Sequence, residues 1–157
     1  MPPITALIHT HNDALRLGRT FETLLPCSEI LIVDHHSTDA TLRIARQYAA
    51  RIVTAEATHP PDHYLTLARH DWILCLAPGE SLTENLQATL FEWSHLSRAP
   101  ATAFSFPVSQ QTGEHWRHLP AQTRLIPRTW PHWHGLLPAS ESSAVALEGE
   151  LLRFDLP

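Results

Sequence analysis

Imidazole and carboxylate side chains gather at a few points of the chain. His9, Thr10, His11 and Asn12 follow one apolar run, and Asp34, His35, His36 and Ser37 follow another. If both runs are neighbouring parallel strands, they lie about 4.8 Å apart and their histidine pairs meet in one crevice. Imidazole binds Zn, Ni, Cu or Fe well, whereas Mg and Mn prefer oxygen. Two readings stay open. Either these histidines form a metal or phosphate site, with His36 a candidate metal ligand, or a chain with 12 histidines scatters them through polar loops. Asp34 is the only close carboxylate; it either meets a ligand or orders its own loop. Ser37, Thr38 and Asp39 suit helix capping. Glu80, in an Ala77-Pro78-Gly79-Glu80 turn, is a candidate metal ligand or general base, or else a solvated carboxylate. Glu141 is a second catalytic candidate, followed by Glu114. No G-x-S-x-G elbow, Walker loop or G-x-G-x-x-G occurs, so hydrolase, NTPase and Rossmann dehydrogenase readings lack support.

The elements that must position these groups can be read from periodicity. Residues 4–8 and Glu29–Asp34 read as buried strands, the second apolar from Ile30 to Val33, as expected where helices cover both faces. Between them, Leu17, Phe21, Leu24 and Leu25 follow helical spacing until Pro26. A second helix carries Leu42, Ala45, Tyr48 and Ala49. Its start after Thr38 offers backbone N–H groups that can hold a phosphate. Arg51–Thr54 is a third strand, 62–69 a short helix and 71–76 a fourth strand. Ser81 or Thr83 caps a further helix with a Leu86, Leu90, Trp93 and Leu96 face. This alternation predicts a mostly parallel sheet with right-handed crossovers. Beyond residue 97 prolines crowd the chain, which predicts short strands at 103–108 and 122–127, a strand or loop at 130–135, and a closing hairpin from 144–147 and 151–154.

Composition narrows the classes. With 157 residues and 43% apolar side chains, the chain can build one sizeable core and is too short for two ordinary domains. A net charge of −5 without a basic run gives no nucleic-acid surface. Cys27 and Cys75 stand apart, outside any C-x-x-C pair, and read as buried free thiols. The opening residues lack a signal peptide's pattern and no apolar run spans a bilayer, so a cytoplasmic protein is expected.

Four segments carry a resemblance. Residues 4–12 look like the opening strand of family 2 glycosyltransferases, which commonly ends in Thr-Tyr-Asn. Ile32-Val33-Asp34-His35-His36-Ser37-Thr38-Asp39-Ala40-Thr41 resembles their V-D-x-x-S-x-D-x-T segment. Residues 71–76 resemble the strand before their acidic motif. Gln122-Thr123-Arg124-Leu125-Ile126-Pro127-Arg128 resembles the R-L-F-R-R strand of the lipopolysaccharide-core branch. The resemblance implies a GT-A fold: an α/β three-layer sandwich over residues 1–157, with a nucleotide-binding half (1–97) and a β-rich acceptor-side half (98–157). It implies that His9, Thr10, His11, Asn12, Asp34, His35, His36 and Ser37 contact a UDP- or GDP-linked sugar donor. The sugar would pass to the hydroxyl of a carbohydrate or lipid-linked acceptor.

The departures are specific. The family places D-x-D after the fourth strand to hold a divalent ion at the leaving diphosphate. Here Ala77-Pro78-Gly79-Glu80 lacks both aspartates, so a Mn or Mg cofactor would rest on Glu80 and His36. A downstream His-Glu pair is replaced around 137–139, with Glu141 close by. His132 and His134 beside Trp130 and Trp133 are either a sugar platform or loop packing. Two functions follow: a divergent, metal-independent glycosyltransferase, or a degenerate one that binds a nucleotide or a protein partner without chemistry. A metal-binding protein on the same fold is the third.

Overall fold

The computed structural model describes residues 3–96 and 102–154. Strands β1 (Ile4–Thr10), β2 (Glu29–Asp34), β3 (Arg51–Thr54) and β4 (Trp72–Leu76) form the parallel part of the sheet, in the order β3-β2-β1-β4. All seven residues of β1 are buried, because β1 lies between β2 and β4 and has both faces covered. Its alternate side chains feed two cores. Ile4, Ala6 and Ile8 pack with helices α1 (Ala14–Glu22), α2 (Thr41–Gln47) and α3 (Glu84–Ser94), through Leu17, Phe21, Ala45, Leu86, Leu90 and Trp93. Leu7 faces the other side with Leu31, Val33, Ile73 and Cys75. There the cover is a 3-10 helix over Pro61–Leu67, through Tyr64 and Leu65, together with Trp130. The result is the expected three-layer α/β sandwich, with all three α-helices of the described residues on one face.

The sheet continues in the order β4-β7-β6-β11-β5, from β5 (Glu80–Leu82), β6 (Phe104–Thr112), β7 (His115–Pro127) and β11 (Leu151–Phe154). β7 runs antiparallel to both β4 and β6, so strands from both halves of the sequence share one sheet. The boundary expected at residue 97 lies outside the described residues. β6 and β7 are longer than expected and join at Gly113, whose φ of 62° suits glycine. Their outer ends pair with each other while residues 115–118 stay exposed, so no apolar pattern marks them. Pro107 sits within a register shift, where a strand tolerates proline.

Two local expectations need correction. Residues 144–147 and 151–154 do not form a hairpin. β10 (Val145–Ala146) and β11 both run parallel to β6, one after the other along its edge. Glu80 is no turn residue in solvent; it opens β5 and is fully buried. At residues 130–138 two short strands, β8 (Trp133–His134) and β9 (Leu137–Pro138), pair in a small separate sheet. The cap of α3 is Thr83, whose side chain accepts from the Leu86 N–H.

Gly149, between β10 and β11, approaches α3 closely. A Cβ there would stand 2.5 Å from Leu86 Cα, and its φ is +96°. Gly149→Ala is therefore expected to lower stability by about 2–4 kcal/mol, through overpacking and left-handed strain. Urea unfolding checks this, and a loss below about 0.5 kcal/mol, the ordinary surface range, would contradict it.

Candidate functional site

The parallel strands end on one side in two stitched loops. Asp34 closes β2 with its carboxylate turned inward. Its Oδ1 accepts from Thr10 Oγ1 at 2.8 Å and Ser37 Oγ at 2.6 Å, and its Oδ2 accepts from the Ser37 N–H at 2.9 Å. Burial raises its pKa, but these hydrogen bonds outweigh it and hold the carboxyl below its ordinary range. Asn12, at φ 52°, offers Oδ1 to the N–H groups of Thr38 (2.7 Å) and Asp39 (3.3 Å), while its own N–H donates to Ser37 Oγ at 2.9 Å. Asp39 accepts from the N–H groups of Thr41 and Ala14. Ser37 and Thr38 therefore tie loops together and cap no helix. The N–H groups of Thr38 and Asp39, expected to hold a phosphate, are spent on Asn12. Of the expected ligand contacts, Asn12, Asp34 and Ser37 order the loops and do not line the crevice.

The crevice itself encloses about 570 Å³, within the range of small-ligand sites. Four expected residues line it: His9, Thr10, His11 and His35. His9 Nδ1 and His35 Nε2 stand 2.9 Å apart and share one proton, and His11 Nδ1 donates to the His35 carbonyl at 2.6 Å. The other His9 nitrogen, Nε2, is buried without a partner among the described residues. Burial, helped by His35, lowers the His9 pKa to about 4, and burial also lowers that of His35. The remaining wall comes from Asp13 and Arg16 of the first loop and α1, Ala77 and Pro78 after β4, Gln110 of β6, Leu136 between β8 and β9, and Arg153 and Phe154 of β11. A smaller cavity adjoins through His35 and Leu136, and holds His36, Ala55, Glu56, His59 and Tyr64. A third, shared through His9, Ala77, Pro78 and Leu136, reaches His134 and Leu137. Together they form an elongated cleft across the carboxyl ends of the strands, where open parallel sheets bind ligands.

Behind the crevice lies a buried ion cluster. Arg124 of β7, fully buried, forks onto Glu80 at 2.5 and 2.9 Å and also donates to the Cys75 carbonyl and to Gln122. Arg153, opposite Glu80 in the β11–β5 register, donates to Glu80 Oε2 through Nε (3.2 Å) and Nη2 (2.9 Å). The Ala77 N–H donates to Oε1 at 2.7 Å. Burial pushes the Glu80 pKa up, but its hydrogen bonds and the two guanidiniums prevail and keep it ionised below the usual range. Both Glu80 oxygens are thus taken. Glu141 stands outside the crevice, 3.6 Å from His132. Trp130 packs under its loop, its N–H donating to the His132 carbonyl, and Trp133 N–H donates to the Trp130 carbonyl. Sequence reasoning placed no role on Arg16 or Arg153. A basic residue within the apolar run Leu151-Leu152-Arg153-Phe154 was the available signal.

No protein-family model matches the chain. An uncharacterized glycosyltransferase of Rickettsia felis is 32% identical over 91 residues, covering 55% of this chain and 32% of that protein. Another, from Rickettsia bellii, is 32% identical over 88 residues, covering 54% and 30%. The chain spans about a third of the length of these curated relatives. Among solved structures, TarS residues 1–349 of S. aureus in complex with UDP superposes with a TM-score of 0.53 at 15% identity, over 75% of this chain and 38% of that one. Glucosyl-3-phosphoglycerate synthase of Mycobacterium tuberculosis, solved with Mn²⁺, UDP and glucosyl-3-phosphoglycerate, superposes with a TM-score of 0.51 at 15% identity, over 71% and 45%. The fold is GT-A-like. A GT-A fold implies a divalent ion, yet the donor set here does not fit one. Glu80 is fully engaged, and the only carboxylate lining the crevice among the described residues is Asp13, whose Oδ2 already accepts the His11 N–H at 2.8 Å. His36 lines the adjoining cavity, where Glu56 is the only carboxylate among the described lining residues. No cluster of three or more metal-ligating side chains occurs among the described residues.

Two outcomes are expected. Arg124→Met leaves Glu80 buried without its main partner and should destabilise the fold by about 3–5 kcal/mol, seen as a melting point lower by roughly 6–20 °C. A shift under 2 °C would show that Arg153 alone satisfies Glu80. For His9, the folded state resists protonation until about pH 4, whereas the unfolded side chain protonates near 6.5. The unfolded state binds the extra proton between these values, so stability is full above 6.5 and falls as the pH drops toward 4, by on the order of 3 kcal/mol. Urea unfolding across this window should show that slope, and His9→Gln should flatten it. An equal slope in the variant would assign the proton to another group.

Proposed function

We propose that the cleft binds a nucleotide-sugar donor, UDP- or GDP-linked, as the donor half of a glycosyltransferase-type site. The observation that carries this reading is the position of the cleft, at the carboxyl ends of β1, β2 and β4 in a GT-A-like fold. The names of the Rickettsia relatives and the UDP in the S. aureus structure support it. The base would enter the cavity bounded by His35, Ala55, Glu56 and Tyr64, where ring edges and backbone groups can hold it. The diphosphate would lie against His9, His11, Arg16 and Arg153, and the sugar would point toward His134 and Leu137. The acceptor would be a carbohydrate or lipid-linked hydroxyl. Glu80 then acts as a positioning group, and neither it nor Glu141 is placed to take the acceptor's proton. Mn or Mg is not expected at the diphosphate, since the carboxylates of the cleft do not fit them.

One observation favours a second reading, a donor-binding module without turnover that serves a protein partner. Among the described residues the crevice lining holds a single carboxylate, Asp13, and one of its oxygens already accepts the His11 N–H. Two free cysteines, Cys27 and Cys75, whose thiol pKa burial pushes up to about 12, accord with a reducing cytoplasmic setting. Among the described residues no helix is long and apolar enough to cross a membrane.

Calorimetric titration with UDP, GDP and their sugar conjugates tests the reading. Saturable binding of at least one is expected, with weak or absent donor hydrolysis. No binding to any of them, with or without Mn²⁺, would remove the donor site. Rapid transfer to an identified acceptor would remove the non-catalytic reading.

A further inference from the structure

The ion cluster behind the crevice is unbalanced. One carboxylate, Glu80, faces two guanidiniums, Arg124 and Arg153. Arg124 is sealed in the core and forks onto Glu80 with both terminal nitrogens. The surplus positive charge therefore falls to Arg153, whose side chain is 29% exposed and forms part of the crevice wall. Among the described residues Glu80 is the only acidic partner of Arg153.

Arg153 is also held in place. Its Nε and one terminal nitrogen are fixed on Glu80 Oε2, so the guanidinium has one orientation and its remaining edge is not used by that contact. Strand pairing fixes the backbone as well, with Glu80 on one side in β5 and Gln110 on the other in β6. Gln110 lines the same crevice, as does Arg16, whose side chain packs over Gly79. A partly exposed, pre-oriented guanidinium with unbalanced charge is built for an anion with several oxygens, since its flat fork matches phosphate geometry. The wall it occupies backs onto Ala77 and Pro78, where the GT-A fold implies a cation and this chain has no carboxylate to hold one.

We propose that Arg153, positioned by Glu80, takes the place of the divalent cation, so that the crevice binds a diphosphate group through the protein's own guanidinium charge and without metal. This rests on the donor-site reading for the nucleotide, but the diphosphate contact can be tested apart from it. Glu80 is a positioning residue here, and Arg153 is the group that touches the ligand.

The test is calorimetric titration of the full chain in EDTA, with inorganic pyrophosphate and UDP as separate probes, followed by the same titrations in Mn²⁺. The wild type should bind both probes in EDTA, with less than a threefold change in Mn²⁺. Arg153→Gln should weaken both by about 10–100-fold, the range of one charge-assisted contact. Arg153→Lys, which keeps the charge and loses the fork, should fall between the two. Equal melting points for the three proteins would separate lost binding from lost folding, and the Lys variant keeps the test open if the Gln variant unfolds. Binding that requires Mn²⁺, or pyrophosphate binding unchanged in Arg153→Gln, would overturn the proposal. Pyrophosphate binding through Arg153 without any UDP or GDP binding would uphold it and overturn the nucleotide reading instead. No binding of either probe would overturn both.

Discussion

The Glu80–Arg124 pair joins β5 and β7, two strands that are not neighbours in the sheet. Arg124 comes from β7, reaches past the end of β4 at Cys75, and meets Glu80 at the start of β5. Arg153 brings in β11 from the other side. A buried charge pair of this kind contributes little net stability compared with apolar packing, because desolvation offsets attraction. Its effect is on geometry. A buried guanidinium tolerates few arrangements of its acceptors, so the turn after β4, strands β5 and β11 and the crevice wall must adopt one mutual position. Everything placed on that wall inherits its precision.

The histidine loops work by a different rule. Asp34, Ser37, Asn12 and Asp39 satisfy the backbone of two loops that would otherwise need water or ligand. This leaves the imidazoles as the groups that face the cleft. His9 is kept neutral by burial, so its surface toward a ligand is that of a dipole, whereas Arg16 and Arg153 supply lasting charge. The two sides of the crevice are thus chemically unequal.

Much of the fold was legible from short-range pattern. The apolar run in Glu29–Asp34, the helical spacing of Leu17 and Phe21, and Thr83 before Leu86 all signal elements that the structure contains. These depend on local periodicity and capping chemistry. What stayed hidden depends on pairing across long separations. Nothing near residue 80 announces that Glu80 is buried, because its partners lie 44 and 73 positions away. Likewise the outer half of β7 is exposed and polar, and its strand character comes only from pairing with β6. At the site, His9, Thr10, His11 and His35 line the crevice, whereas Asp34 and Ser37 are engaged with each other, and Arg16 and Arg153, distant in sequence, complete the wall. Side-chain type told where polar chemistry gathers, but not which atoms were already engaged.

The strand order has a consequence for how the site comes into being. β11, near the end of the described chain, is not added to the outside of the sheet; it fills the gap between β6 and β5. Until residues 151–154 are available, β5 has no strand beside it and Glu80 has only one of its two guanidiniums. During synthesis the pairing of β1 to β4 and the histidine loops can form first, since these contacts lie within residues 4–76. The crevice would then stand with one wall missing. Emergence of β11 from the ribosome is the event that closes it, so a chain arrested before residue 151 would carry the parallel strands and a cleft without its Arg153 wall.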